Sequence, residues 1–276
     1  MLADFAAIRE TARRRGPRKI AVAGGGDSVL DASLAEARTL GLADAIVAAD
    51  AAEAVSLVRA GQCDVLMKGT VDTAAFMKAV LDRESGLRGD GLMSHIFVTA
   101  SKRLGRIFLV TDGGITISPT LAEKARIIRN AMPLARALGI PSPLVAVLAA
   151  VEKPNPKMPE TLDAVELVRM NRAGEITGCT VGGPLALDGC VSPEAAATKG
   201  ITGPVAGHAD IILVPGVATG NAMCKAIVYF AGDEAGGYVA GAAAPVVFLS
   251  RADDATTRLN SIALGVLMAG GTSDGR

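Results

Sequence analysis

Tryptophan is absent from this 276-residue chain and aromatic residues make up only 3% of it, so alanine, valine, leucine and isoleucine carry most of its 50% hydrophobic content. Cysteine is scarce and scattered. Cys63, Cys179, Cys190 and Cys224 form no CxxC pair, which argues against a disulfide scaffold and points to a reducing, cytoplasmic setting. The histidines, His95 and His208, stand far apart with no HxxxH spacing, so no metal centre is expected. Neither sign of charge is in excess, with 28 Lys+Arg against 28 Asp+Glu, and a general affinity for nucleic acid or anionic membrane is not expected. No apolar run reaches the about 18 residues that read as a membrane span. Arginines at 9, 13, 14, 15 and 18 make the start basic, but Asp4 and Glu10 interrupt it and no apolar segment follows, so a secretory signal is not expected either.

What is present is regular punctuation, from 32 glycines and 13 prolines. After a first amphipathic helix over 3–14, short apolar runs alternate with helical patterns: KIAVAGG from Lys19, a helix over about 31–40, DAIVAAD at 44–50, a helix over about 51–60, CDVLMKG at 63–69 and a helix over about 72–81. HIFVTA and RIFLVTD follow as adjacent strands. Thr120 and Glu123 then form a capping box for a helix to about Leu138, which Pro133 should kink or divide. PLVAVLAA at 143–150 and DIILVPG at 210–216 are further strands. Ser192 caps a helix with Pro193 at its first position, and APVVFLSRADD leads into a last helix over 256–268. Strands alternating with crossover helices define an α/β class with a mainly parallel sheet covered on both faces.

Polar groups collect at the strand exits, in MKGTVDT at 67–73, TDGG at 111–114, PGVATGN at 215–221 and LSRADD at 249–254. A glycine turn at a helix start presents unpaired backbone N–H groups, which suit phosphate. Lys68, Thr70, Thr73, Asn221, Lys225, Ser250 and Arg251 add hydroxyl and cationic complements. Any one exit alone is equally a turn or helix cap; together they make a phosphate-bearing small molecule the default ligand. AGGGDSV at 23–29 matches neither GxGxxG nor a GKS/GKT phosphate loop, so conventional nicotinamide or ATP binding there is not expected.

LMKGTVDTAAFMKAVLDRESGLR at 66–88, GPLALDGCVSPEAAATKGITGPVAGHADIILVPGVATGNAMCKAIVYFAG at 183–232 and APVVFLSRADDATTRLNSIALG at 244–265 resemble the phosphate acetyltransferase and phosphate butyryltransferase family. SHIFV, TDGG and EKPNPKMPET agree with the regions between, so the likeness spans nearly the whole chain, less distinctively before about residue 60. It implies two three-layer α/β domains around a cleft, an isocitrate/isopropylmalate dehydrogenase-like fold, and a homodimer. The first domain would comprise 1–92 plus 238–276 and the second 93–237, with LSRADD facing MKGTVDT. The implied reaction is reversible transfer of an acyl group between coenzyme A, as co-substrate, and inorganic phosphate, giving acyl phosphate. Short-chain acyl-CoA is the expected partner, with no metal or nicotinamide.

Carried over residue by residue, the resemblance gives Ser250 a donating or orienting role at the acyl centre and Arg251 the phosphate and oxyanion charge, for which a planar guanidinium is suited. Lys68 and Thr70 fall on the phosphate side, Thr73 is a further binding hydroxyl, and Gly220, Asn221 and Lys225 fall on the side of the coenzyme's charged portion, with Asn221 capping its helix. Asp188 matches a family aspartate, as structural brace or catalytic contributor. The acetyl branch has an acid seven positions after the serine, where this chain has Thr257. Asp253 and Asp254 are the nearby acids, Asp254 being the catalytic candidate, with capping of the last helix as the other reading of both. Lys78 replaces an arginine of the acetyl branch, and the wording is closer to the butyryl branch. Alternatives are a phosphate acyltransferase using acyl carrier protein, a noncatalytic acyl-CoA-binding relative, and a decarboxylating dehydrogenase.

Overall fold

The computed structural model describes residues 1–89, 91–248 and 250–269; Leu249 of the LSRADD exit lies outside them. The chain runs through α1 (Phe5–Arg13), β1 (Arg18–Ala23), α2 (Ser28–Thr39), β2 (Ala43–Ala48), α3 (Ala51–Arg59), β3 (Val65–Lys68) and α4 (Thr73–Leu81). It continues with the hairpin of β4 (Ser94–Ser101) and β5 (Arg106–Thr111), then α5 (Leu121–Ala137), β6 (Leu144–Leu148), α6 (Pro159–Arg172), β7 (Thr180–Leu185), α7 (Leu187–Val191), α8 (Pro193–Thr198), β8 (Ile211–Leu213) and α9 (Val217–Ala226). β9 (Glu234–Ala240), β10 (Val246–Val247) and α10 (Ala255–Ala269) close it. Two compact units result: Leu2–Met93 with the described residues from Glu234 on, and the inserted Ser94–Asp233.

In the discontinuous unit the strand order is β2-β1-β3-β10-β9. β1 pairs in parallel with β2 and β3, β3 pairs in parallel with β10, and β10 meets β9 antiparallel. β3 is buried at every position and β1 over its last four, the continuous apolar run of a strand covered on both faces. α10 packs on β9, α1 and α2. Every residue from Arg258 to Leu267 is buried, so this helix behaves as core on all sides. Its polar groups are spent on neighbours: Asn260 Nδ2 donates to Ala235 O at 3.1 Å, Asn260 Oδ1 accepts from Arg9, and Ser261 Oγ accepts from Gly237 N at 2.8 Å.

In the inserted unit the order is β4-β5-β8-β6-β7, parallel except for the β4–β5 hairpin. The Thr120–Glu123 capping box starts α5, and Ser192 Oγ accepts from Ala195 N to start α8 behind Pro193. Pro133 neither ends nor divides α5, which is continuous from Leu121 to Ala137 with Ile127, Ile128, Ala131, Met132 and Leu134 buried around it. That packing outweighs the hydrogen bond a proline removes. Among the described residues, no helix is long and apolar enough to cross a membrane.

The exits of β1 and β3 meet backbone to backbone. A Cβ on Gly69 would lie 2.0 Å from Gly24 O and 2.7 Å from Ala23 O. Gly69→Ala should therefore force the two turns apart and lower stability by about 1–3 kcal/mol, the usual cost of overpacking, as measured by denaturant unfolding.

Candidate active site

The β1, β3 and β10 exits and the start of α10 form one cavity of about 290 Å³, lined by Asp27, Lys68, Gly69, Thr70, Ser250, Arg251 and Arg258. Lys68 ends β3 and is 2% exposed. Its Nζ reaches Gly69 O at 3.4 Å, a weak contact for a buried ammonium. Burial first, and then the neighbouring Arg251 and Arg258 charges, push Lys68 below the usual lysine value, with Asp72 opposing.

The loop before α10 is wound on its own polar groups. Ser250 N donates to Asp253 Oδ2 at 2.8 Å, and Ala252 N to Ser250 Oγ at 3.3 Å. The Ser250 hydroxyl is thus an acceptor within the loop and keeps its O–H for a ligand. Arg251 reaches outward, its Nη2 3.9 Å from Asp72 Oδ2 with the arginine side chain 72% exposed. Asp72 caps α4 and is held below the usual aspartate value by the Ala75 and Ala74 N–H donors and then by Arg251.

Asp27, which caps α2 after the glycine turn of β1, accepts from Val29 N at 2.8 Å and Leu30 N at 3.2 Å. Its other oxygen accepts from Arg258 Nη1 at 3.1 Å. Leu30 N–H is the largest influence holding its carboxyl below the usual value. No motif in the sequence flags Asp27 or Arg258. The signal that bears on Asp27 is that the GGGDS turn is itself a strand exit, between β1 and α2.

The remaining expected residues divide. Thr70 lines the cavity, but its hydroxyl donates to Gly25 O at 3.0 Å and so ties the two glycine turns together. Thr73 begins α4 and is not among the residues lining the cavity. Asp254 lies outside that lining too, and its Oδ1 accepts from Thr257 N at 2.7 Å at the start of α10, a helix-cap contact.

Gly220, Asn221 and Lys225 lie on α9 in the inserted unit. The helix begins at Gly216, a turn earlier than an Asn221 cap would require, so Asn221 is an interior, exposed helix residue, with Lys225 in the last turn. Gly220 allows α9 to approach the β5 exit: a Cβ there would meet Gly113 Cα at 2.7 Å. That exit is braced by Asp112, 1% exposed, whose carboxylate accepts from Gly114, Ile115 and Thr116 N–H groups at 2.8–3.0 Å. Asp188 accepts from Lys199 Nζ at 2.8 Å, and Lys199 also donates to Glu152 at 2.9 Å, a brace between loops. Burial pushes the Cys190 and Cys224 thiols up to about 12, which leaves them protonated at neutral pH. Among the described residues, no group of three or more His, Cys, Asp or Glu is placed to hold a metal ion.

A family profile described as "Phosphate acetyl/butaryl transferase" matches residues 7–266, and the chain belongs to that family. It is an enzyme of reversible acyl transfer between coenzyme A and phosphate. The chain is 41% identical to phosphate butyryltransferase of Clostridium acetobutylicum, over 98% of this chain and 99% of the relative. It is 43% identical to phosphate acetyltransferase of Thermotoga maritima, over 78% and 74%. Among solved structures, a branched-chain phosphotransacylase from Enterococcus faecalis superposes with TM-score 0.82 at 31% identity, covering 91% of this chain and 99% of that one. A phosphotransacetylase from Streptococcus pyogenes gives 0.80 at 21% identity, over 96% and 97%, a likeness of fold.

These superpositions correct the expected isocitrate/isopropylmalate dehydrogenase-like fold: the fold is that of the phosphotransacylases and phosphotransacetylases. The physical reason is that alternation of strand and crossover helix is common to parallel α/β sheets at large. Strand order, including the antiparallel β9 beside β10, comes from tertiary contacts that periodicity does not register.

The buried Lys68 charge costs stability because the unfolded chain solvates it fully. Lys68→Met should keep or raise the melting temperature while lowering kcat/KM for phosphate about 10–100-fold, the range for losing a charged hydrogen bond. A fall in melting temperature with kcat/KM unchanged would assign Lys68 to the core instead.

Proposed function

We propose that the Lys68–Ser250–Arg251 cavity holds the phosphoryl and acyl end of the reaction. The observation that supports it is the convergence of a buried ammonium, an exposed guanidinium and a hydroxyl on one small cavity whose described lining carries a single carboxylate, Asp27. In the direction of thioester formation, the coenzyme thiolate sulfur attacks the acyl carbon of the acyl phosphate. A tetrahedral oxyanion forms, the carbon–oxygen bond to phosphate breaks, and that electron pair leaves on inorganic phosphate. Ser250 donates to the acyl oxygen, and Arg251 follows the charge from oxyanion to leaving phosphate. Lys68 neutralises the phosphoryl group from the buried side. Thr70 acts through the turn it ties, and Thr73 through the start of α4.

Thr257 cannot take the thiol proton, and Asp254 is committed through one oxygen to the α10 cap. The proton passes to water, and the cations favour the thiolate that remains. Gly220, by letting α9 sit close to the β5 exit, and Asn221 with Lys225, one turn apart on that helix, are assigned to the coenzyme's charged portion. Short-chain acyl-CoA thioesters, butyryl above all given the relatives named above, are the proposed substrates. The protein is proposed to work as a homodimer, without metal or nicotinamide, in the reducing cytoplasm that its free cysteines suit.

Free coenzyme A should be released from acetyl-, propionyl- or butyryl-CoA only when phosphate is present; no release with any of them from folded protein would refute this function, and activity confined to an acyl carrier protein thioester would redirect it. Arg251→Lys should cut turnover ~100–1,000-fold with little change in melting temperature, because charge without the planar fork loses one oxyanion contact. Light scattering should give about twice the 27.9 kDa chain mass.

A further inference from the structure

Arg258 is 5% exposed, yet it lines the same cavity as Lys68, Ser250 and Arg251. Protein acceptors fix its guanidinium along three directions. Nε donates to Asp253 O at 3.0 Å, Nη1 to Asp27 Oδ2 at 3.1 Å, and Nη2 to Arg251 O at 3.4 Å. A guanidinium carries five N–H donors. Against the acceptors among the described residues, two therefore remain, one on each Nη nitrogen, and each can donate to a phosphate oxygen.

Arg251 contrasts with it at every point. Its side chain is 72% exposed and its nearest carboxylate contact is 3.9 Å, so it must be ordered by whatever it binds. Arg258 has already lost its rotamer freedom on folding, and a ligand that meets it bears none of that ordering cost. The carboxylate that holds it is itself fixed by the first turn of α2, through Val29 N and Leu30 N. Three cations line the cavity against the one carboxylate, Asp27, among the described residues, so the lining retains positive charge after the Arg258–Asp27 pair is counted.

We propose that Arg258 is the fixed anion ligand of this cavity, holding the phosphate that leaves or accepts the acyl group through its two Nη nitrogens, with Asp27 as its positioning residue. This rests on the phosphate role of the cavity proposed above and adds the residues that pre-organise it. Arg251 is then the mobile guanidinium that closes on the group Arg258 has seated. The Arg258 contacts to the Arg251 and Asp253 carbonyls also give the Ser250 loop its shape, so a loss of activity alone does not separate ligand from brace.

The test uses the full chain with Arg258→Gln, Arg258→Lys, Asp27→Asn and, alongside, Arg251→Lys. Phosphate KM, acyl-CoA KM and kcat are measured, together with the melting-temperature rise that inorganic phosphate alone produces. Arg258→Gln should raise phosphate KM ~10–100-fold, the loss of charged hydrogen bonds, while acyl-CoA KM changes little and the phosphate-induced rise disappears. Arg258→Lys should recover part of that affinity, and Asp27→Asn should raise phosphate KM by a smaller factor with kcat retained.

A lowered melting temperature for Arg258→Gln with phosphate KM and the phosphate-induced rise unchanged would make Arg258 a brace and overturn the proposal. If Arg258→Gln does not fold, an unchanged phosphate KM in Asp27→Asn overturns it. Loss of phosphate affinity with Arg251→Lys but not with the Arg258 or Asp27 variants defeats this assignment alone. Normal phosphate affinity in all four defeats the phosphate role of the cavity itself.

Discussion

The discontinuous unit depends on a backbone contact that leaves no room for a side chain, the crossing of the β1 and β3 exits at Gly24 and Gly69. Because those turns touch, Thr70 can reach Gly25 O across them, and the start of α2 is drawn in with Asp27 facing Arg258. The same crossing puts Lys68, the last residue of β3, beneath the cavity rather than at its rim. A methyl group at Gly69 would thus alter the shape of the cavity as well as stability, since the cavity is built on the turns it separates.

The cavity has the composition expected of a binding site held slightly against its own preference. A buried ammonium with a weak carbonyl contact beside two guanidiniums costs free energy, and an anion would offset that cost. α10 makes this arrangement tolerable. Its entirely buried stretch from Arg258 to Leu267 anchors the helix in the core, so the first-turn arginine is carried by packing several residues downstream. A charge fixed in this way is pre-organised, so it needs no reorganisation when an anion meets it, as mobile solvent would.

Most helices and parallel strands were legible because their signals are local: the Thr120–Glu123 box, the Ser192–Pro193 start, the short apolar runs of β1, β3 and β6. β9 was not, since EAGGYVA lacks alternation, carries two glycines against Tyr238 and Val239, and is held by Ser261 and Asn260 of α10. Pro133 does not divide α5, because the packing around that helix outweighs a local penalty, and Asn221 is not a cap, because the glycine before it serves close approach rather than helix initiation. Of the cavity, Lys68, Thr70, Ser250 and Arg251 were legible at strand exits. Asp27 and Arg258 were not, since a pair separated by 231 positions has no spacing for a motif to capture.

The division of the chain has a consequence for the order in which the protein can be made. Strands β4 to β8 lie within one uninterrupted stretch, Ser94–Asp233, so a ribosome delivers that whole unit before β9, β10 or α10 has been synthesised. The N-terminal strands β1, β2 and β3 meanwhile wait without the sheet neighbour and helix that cover them, an exposed parallel edge of the kind that chaperones shield. Ser250, Arg251 and Arg258 all belong to the later segment, so the cavity they line is completed only after the inserted unit has been made.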